Sequence, residues 1–300
     1  MCKNTDRIAI AFALLLLFAF PALSDARMIV ALKSADIQPY DEAIEGFGQS
    51  CGCDLRQITL SETGGQEALA QIREMRPSAV FTVGLDAFNL AKEIHGIPVI
   101  YSMVPRSVSY GSGQGASGVS MFISPQKRLS AMLEVFPSAK RIGVIYDARH
   151  SEAAIEEAES FCRSRGIELV AKRTSRPGDF PSLLEGMKDR IDLFWMLPDP
   201  TVVNPEAVKY LLLFSFKNRV PVFTFSRKYV ELGATAGLYA SPGDMGSQAG
   251  EISQRILSEK SDAPIRADVR KTVLAINRKI AGKLGIRIRN EALKRAEDVE

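Results

Sequence analysis

The sequence predicts an α/β protein with two wound halves, and three observations carry this prediction. Short apolar runs alternate with longer segments whose apolar residues recur at helical spacing. The short runs are almost continuously apolar, which is typical of parallel strands buried on both faces. The same order of strands and helices restarts after a Gly- and Ser-rich interruption at 109–118, and 300 residues suffice for about two domains.

The first half reads as alternating strands and helices, which predicts a parallel sheet. Apolar runs predict strands at 28–32, 55–60, 79–83 and 98–101. Helical spacing of apolar residues predicts helices at 41–50, 66–75 and 87–94.

The second half repeats this pattern and then extends it. Strands are predicted at 141–146, 168–172, 193–197, 221–225 and 234–239, and helices at 124–136, 151–165, 180–188 and 206–218. A further helix at 244–259, a strand at 273–276 and a short helix at 280–284 follow. The charged tail 289–300 is expected to be frayed or solvated.

The N-terminus has the features of a cleaved secretory signal peptide, residues 1–26. Lys3 and Arg7 precede the apolar run 8–20, and Pro21 and small residues follow it. That run is shorter than the ~20 residues that cross a bilayer, and cleavage is predicted after Ser24 or Ala26. The mature protein is therefore expected in the periplasm.

The mature chain would keep three cysteines, an odd number that leaves at least one thiol free in a monomer. Cys51 and Cys53 flank a single glycine, and Cys162 lies far along the chain. Their pairing stays open: a bridge within the C-G-C segment, a bridge from either member to Cys162, or buried free thiols.

Composition and motifs argue against several functional classes. Lys and Arg number 38 against 35 Asp and Glu, an excess too small to indicate a nucleic-acid surface. Two histidines exclude most His-rich metal sites. The sequence has no nucleophile elbow, P-loop, H-E-x-x-H or strand-borne G-x-G-x-x-G motif. We therefore expect no catalytic residues, no metal and no cofactor.

Candidate ligand-binding residues lie just beyond the predicted strands, because open parallel sheets bind ligands at the carboxyl ends of their strands. The loops there contain hydroxyl groups, charges and helix-start residues, which suit polar ligands. The candidates are Ser34, Tyr40, Gly84, Asp86 and Ser102 in the first half, Tyr146, Arg149, Ser151, Asp199, Thr201 and Ser226 in the second, and Asp244 beyond them.

Several segments resemble the ABC transporter substrate-binding family that includes tryptophan- and tyrosine-type binding proteins. They are G-A-S-G-V-S at 115–120, F-P-S-A-K-R-I-G-V-I-Y at 136–146, D-P-T-V at 199–202 and the glycine-bearing helix segment 246–250. The resemblance covers most of 98–288. Over 27–97 only the topology and the Glu45-Gly46-Phe47 stretch agree.

The resemblance implies a periplasmic-binding-protein fold of type I, with two Rossmann-like lobes joined by a hinge around a ligand cleft. Three crossings are expected near 104–106, 240–241 and 270–271. The N-terminal lobe would then comprise 27–104 plus 241–270, and the C-terminal lobe 105–240 plus 271–288.

The implied function is that of an exported, monomeric receptor, not an enzyme, which delivers a small polar or zwitterionic, amino-acid-like ligand to an ABC permease. Acidic residues usual in the family are absent here, notably at Met103-Val104-Pro105, and Arg149 and Arg227 offer clamps for a carboxylate instead. One alternative is the same fold acting as an extracytoplasmic sensor on a signalling receptor in the membrane. A remote alternative is a secreted hydrolase using Asp147 and Asp199.

Overall fold

The computed structural model describes residues 27–111, 115–259 and 263–299, and the predicted signal peptide lies outside these ranges. The elements as far as residue 120 are β1 Met28–Lys33, α1 Gln38–Cys51, β2 Asp54–Thr59, α2 Leu60–Thr63, α3 Gly65–Met75, β3 Ala79–Val83, α4 Leu85–Leu90, β4 Val99–Val104, α5 Arg106–Gly111 and β5 Ser117–Ser120.

The later elements are α6 Pro125–Val135, β6 Arg141–Tyr146, α7 Ala148–Ser164, β7 Glu168–Arg173, α8 Phe180–Glu185, β8 Leu193–Trp195, α9 Pro205–Asn218, β9 Val222–Thr224, α10 Arg227–Glu231, β10 Ala236–Ala240, α11 Pro242–Glu259, β11 Arg266–Asp268, β12 Thr272–Ile276, α12 Arg278–Lys283, α13 Asn290–Arg295 and β13 Glu297–Asp298.

Two separate sheets form the cores of two lobes. The first has six strands in the order β11-β5-β4-β3-β1-β2, and all of its pairings are parallel. The second has seven strands in the order β13-β12-β10-β9-β8-β6-β7, with one antiparallel pairing between β10 and β12. Apolar side chains cover both faces of each sheet, as the continuously apolar strands predict.

Helix α11 returns the chain to the first lobe, where it packs closely on α1. A Cβ on Gly246 would lie 1.8 Å from the carbonyl oxygen of Ala43, and one on Gly46 would lie 2.0 Å from that of Gly243. Only glycine permits backbones to approach so closely. The contact fixes α11 against the helix that begins beside the candidate ligand loops.

The first crossing between the lobes differs in place from the expected one. Strand β5 pairs with β4 and β11 in the first sheet, so the chain leaves this lobe after Ser120 rather than near 104–106. The sequence predicts no strand here for two reasons. The segment before β5 is polar, unlike a buried strand, and β5 itself has only four residues. The other two crossings join β10 to α11 and β11 to β12.

The C-terminal residues form part of the second lobe instead of a frayed tail. Helix α13 buries Ala292, and strand β13 pairs with β12 in parallel. Val299 is buried and its amide donates a 3.0 Å hydrogen bond to the carbonyl of Ile276. Residues 287–298 carry many charges, but this does not prevent α13 and β13 from packing on the lobe. Short elements at a sheet edge need only a few apolar contacts.

The cysteine alternatives resolve in favour of the C-G-C segment. Cys51 and Cys53 form a disulfide, and Gly52 between them adopts the left-handed conformation with φ of 60°. Cys162 is free and buried in the core of the second lobe. Across the three described ranges, no helix combines the length and apolar character needed to cross a membrane.

Candidate functional site

The carboxyl ends of β1, β3 and β4 bring Ser34, Gly84 and Ser102 together in the first lobe. The Ser34 hydroxyl donates to the carbonyl of Val83 at 3.1 Å and accepts from the amide of Ala87 at 2.9 Å. The Ser34 hydroxyl, which follows β1, therefore pairs with the Ala87 amide in the first turn of α4. It acts as a helix cap supplied by a neighbouring strand. The Gly84 amide donates to the carbonyl of Ser102 at 3.1 Å.

Tyr40 covers this edge by resting on Gly84. A Cβ on Gly84 would lie 2.6 Å from both the Ser34 hydroxyl and the Tyr40 hydroxyl, and the φ of Gly84 is +91°. Burial, and secondly the charge of Asp86, raise the pKa of Tyr40. Asp86 itself is exposed in the first turn of α4. Tyr40 and Asp86 thus form a small accessible polar surface, and Ser34 and Gly84 are buried against Tyr40.

Ser102 is at the same edge but points inward. Its side chain is fully buried, and its hydroxyl has no hydrogen-bond partner among the described residues. The Ser102 hydroxyl therefore keeps an unused hydrogen-bond donor and acceptor. Leaving a buried hydroxyl unpaired is energetically unfavourable.

Three residues beside these loops are not among the candidates that the sequence predicts. Lys33 is buried, and its ammonium donates to Asp36 at 2.6 Å and Asp41 at 2.7 Å. These hydrogen bonds raise its pKa. Ile37 and Leu85 are large apolar residues that are 44% and 38% exposed. Ile37 and Leu85 each lie within three residues of a predicted site residue. An apolar side chain in an otherwise polar loop is the sequence signal that could have identified these two.

Asp147 organises the equivalent edge of the second lobe. It follows β6, and its carboxylate accepts hydrogen bonds from the backbone amide of Arg149 at 3.0 Å and the Thr201 hydroxyl at 2.7 Å. The Arg149 guanidinium pairs with the same carboxylate. This guanidinium holds the pKa of Asp147 well below its usual range.

Asp199 holds neighbouring groups of the chain in place in this structure, and its role as a direct ligand contact stays a prediction. Its carboxylate accepts from the Asp147 amide at 2.9 Å, the Ser151 hydroxyl at 2.7 Å and the Thr201 amide at 3.0 Å. Its side chain is fully buried. Ser151 is buried beside it and serves the same network.

The two arginines expected to clamp a carboxylate are engaged by the chain itself. Arg149 is exposed but bound to Asp147. Arg227 pairs with Glu231 at 2.9 Å and Glu297 at 3.2 Å. Their charges are therefore balanced, although the outer face of the Arg149 guanidinium remains open to solvent.

The remaining predicted residues occupy three different places. Tyr146 is buried in the core beneath α7, and burial raises its pKa. Ser226 is half-buried at the start of α10, directly beyond β9. Asp244 accepts from Arg270 at 3.2 Å at the crossings between the lobes, where Arg270 also binds Glu251. Tyr146 directly precedes Asp147, and Ser226 lies in the loop after β9, the strand next to β8.

The paired carboxylates suggested for a hydrolase are both engaged in hydrogen bonds within the chain. Asp147 is held by Arg149 and Thr201, and Asp199 has no accessible surface. Within the ranges that the structure describes, no group of three or more His, Cys, Asp or Glu residues is arranged to hold a metal ion.

The family model for ABC transporter substrate binding proteins matches residues 61–300. A curated relative is the tyrosine-binding protein of Clostridioides difficile, which is 25% identical over 190 residues. The match covers 60% of this chain, and the chain spans about half the length of that relative.

Solved structures share the fold over nearly the whole chain. A ligand-free, open substrate-binding protein with adhesive properties from Clostridium difficile has a TM-score of 0.76 at 20% identity, covering 91% of this chain and 99% of the other. An ABC domain in complex with L-Trp from Streptococcus pneumonia has a TM-score of 0.63 at 20% identity, covering 92% and 100%. The predicted fold class is confirmed, and the chain belongs to the ABC transporter substrate binding protein family.

Proposed function

We propose that this protein is an exported receptor that captures an amino-acid-like ligand between its two lobes and delivers it to an ABC permease. Family membership supports a small-molecule ligand and an ABC transporter as partner. The names of two relatives, one tyrosine-binding and one in complex with L-Trp, support an aromatic amino acid as the first ligand to test.

The first-lobe surface carries this proposal, because it joins polar and apolar groups that suit the two parts of such a ligand. Ile37, three residues before Tyr40, and Leu85, next to Gly84 in the chain, are exposed apolar side chains. They offer contact area to an apolar side chain. Asp86 makes no ion pair among the described residues and supplies a negative charge for an ammonium group.

The second lobe would close over the ligand with the loop surface that contains Thr201 and Ser226, both half-buried. Asp199 and Asp147 hold the Thr201 part of this surface in place, by accepting from the Thr201 amide and hydroxyl respectively. The three crossings provide a hinge, and the amide of Ser241 donates to the carbonyl of Lys271 at 3.3 Å where two of them meet. Hinge closure around a ligand is a common motion of two-lobed binding proteins.

Calorimetry and thermal unfolding of the mature protein with L-tyrosine, L-tryptophan and L-alanine test the ligand class. We expect the aromatic amino acids to raise the melting temperature, because a ligand that binds only the folded state stabilises it. Asp86→Asn should weaken binding about tenfold or more through loss of the ammonium partner. Glu93→Gln is the control. Glu93 is an exposed carboxylate just beyond α4, the helix that contains Asp86, and its replacement should leave binding unchanged. No stabilisation by any amino acid at millimolar concentration would refute the ligand class.

A transport assay tests delivery to a permease and separates it from the sensor alternative. Deletion of the gene should abolish uptake of the labelled ligand identified above, and the mature protein should be recovered from the periplasmic fraction. Unchanged uptake together with loss of a ligand-dependent signal would favour the sensor.

A further inference from the structure

Arg128 is a buried cation without a carboxylate partner. It lies in the first turn of α6, is 8% exposed, and donates one hydrogen bond of 2.9 Å to the carbonyl of Leu238. No ion pair joins it to an acidic residue anywhere in the described ranges. Burial lowers its pKa to about 10. A buried charge without an opposite charge is costly, and this cost is removed when an anion binds.

The topology places Arg128 at the ligand-binding edge of the second lobe. Helix α6 ends just before the start of β6, so its first turn lies near the carboxyl ends of the parallel strands. The register between β9 and β10 ends at the pair Thr224 and Gly237, and Leu238 is the next residue. The guanidinium therefore meets β10 one residue beyond the end of its pairing with β9, on the side of the sheet edge where the loop after β9 begins.

Charge balance distinguishes Arg128 from the other arginines near this edge. Arg149 is neutralised by Asp147, and Arg227 by Glu231 and Glu297. Arg128 has only a neutral backbone carbonyl, which leaves its positive charge uncompensated. An arginine fork matches a carboxylate through two parallel hydrogen bonds.

We propose that Arg128 binds the carboxylate of the ligand and makes the receptor selective for carboxylate-bearing molecules. This inference rests on the proposed function. Asp86 on the first lobe and Arg128 on the second then hold the two opposite charges of one amino acid from the two sides of the cleft. The ligand is oriented with its ammonium group toward α4 and its carboxylate toward the gap between β9 and β10.

Three small probes test this assignment: L-tyrosine, 3-(4-hydroxyphenyl)propionate, which lacks the ammonium group, and tyramine, which lacks the carboxylate. We expect the wild-type protein to bind tyramine about tenfold or more weakly than L-tyrosine, since tyramine cannot form the charge-assisted pair with Arg128. Arg128→Gln should lower affinity for L-tyrosine and the propionate by a similar factor and leave tyramine unchanged. Lys127→Gln, an adjacent exposed cation, is the matched control and should change none of the three.

Two results would overturn the assignment. The first is that wild-type protein binds tyramine as tightly as L-tyrosine. This comparison uses only the wild-type protein, so it does not depend on whether a variant folds. The second is Arg128→Gln that weakens all three probes equally, which indicates a structural role at Leu238. Arg128→Lys keeps the charge and should retain part of the preference for the carboxylate. Binding of none of the three probes by wild-type protein would instead refute the proposed ligand class and this assignment with it.

Discussion

The carboxylate of Asp199 accepts a 2.9 Å hydrogen bond from the backbone amide of Asp147, a residue 52 positions earlier in the chain. Asp147 in turn accepts from the hydroxyl of Thr201, so the loops after β6 and β8 hold each other in place. The buried Asp199 carboxylate thus fixes the backbone position of Asp147, which is itself buried and holds Arg149 and Thr201. The two aspartates have different roles although both follow buried strands.

Asp199→Asn should destabilise this loop pair, because an amide nitrogen cannot accept the hydrogen bonds that the carboxylate accepts. We expect a loss of about 1–3 kcal/mol in the free energy of unfolding and weaker ligand binding. Denaturant unfolding and calorimetry measure the two effects. Asp189→Asn, an exposed aspartate with φ of 60° that asparagine tolerates, is the control. Unchanged stability in Asp199→Asn would contradict the positioning role.

Stability should fall at acidic pH in a way that depends on Asp147. Arg149 holds the pKa of Asp147 below its ordinary value of 3.8 in the folded state. The carboxylate therefore stabilises the fold at pH values above 3.8, and this contribution is lost as the pH falls below that value toward the folded-state pKa. Thermal melts from pH 6 to pH 2 should show a shallower decline for Asp147→Asn than for wild type. Parallel curves would show that Asp147 contributes nothing to acid sensitivity.

Gly84→Ala should disrupt the first-lobe surface more than its backbone strain alone accounts for. The new methyl group would meet the hydroxyls of Ser34 and Tyr40 at 2.6 Å. Gly96→Ala separates the two effects: Gly96 has φ of +77° and nothing within 4 Å of the place its methyl group would take, so only strain of about 1–2 kcal/mol is expected there. Gly84→Ala should lose more stability than this and also lose ligand affinity. Equal losses in both variants would argue against close packing of Tyr40 on Gly84.

The sequence is sufficient to identify most strands of the two sheets and the loops that follow them, because apolar strands and helical spacing are local signals. It does not show which way a loop carboxylate faces. Asp199 turns inward because three donors from separate segments converge on it, and that convergence exists only in the folded chain. Strand β5 is not predicted for a similar reason: its four residues become a strand by pairing with β4 and with β11, which lies about 150 residues away.

Gly246→Ala should prevent α11 from packing against α1 and so disturb the lobe that carries Tyr40. The methyl group would lie 1.8 Å from the carbonyl oxygen of Ala43, a backbone atom that cannot move aside like a flexible side chain. We expect a loss of at least about 1–3 kcal/mol in the free energy of unfolding. Gly48→Ala is the matched control within α1, since its methyl would make only an ordinary 3.7 Å contact with Leu55 and should stabilise the helix by about 0.5–1 kcal/mol. If both variants unfold at the wild-type denaturant midpoint, the close helix contact does not hold this lobe together.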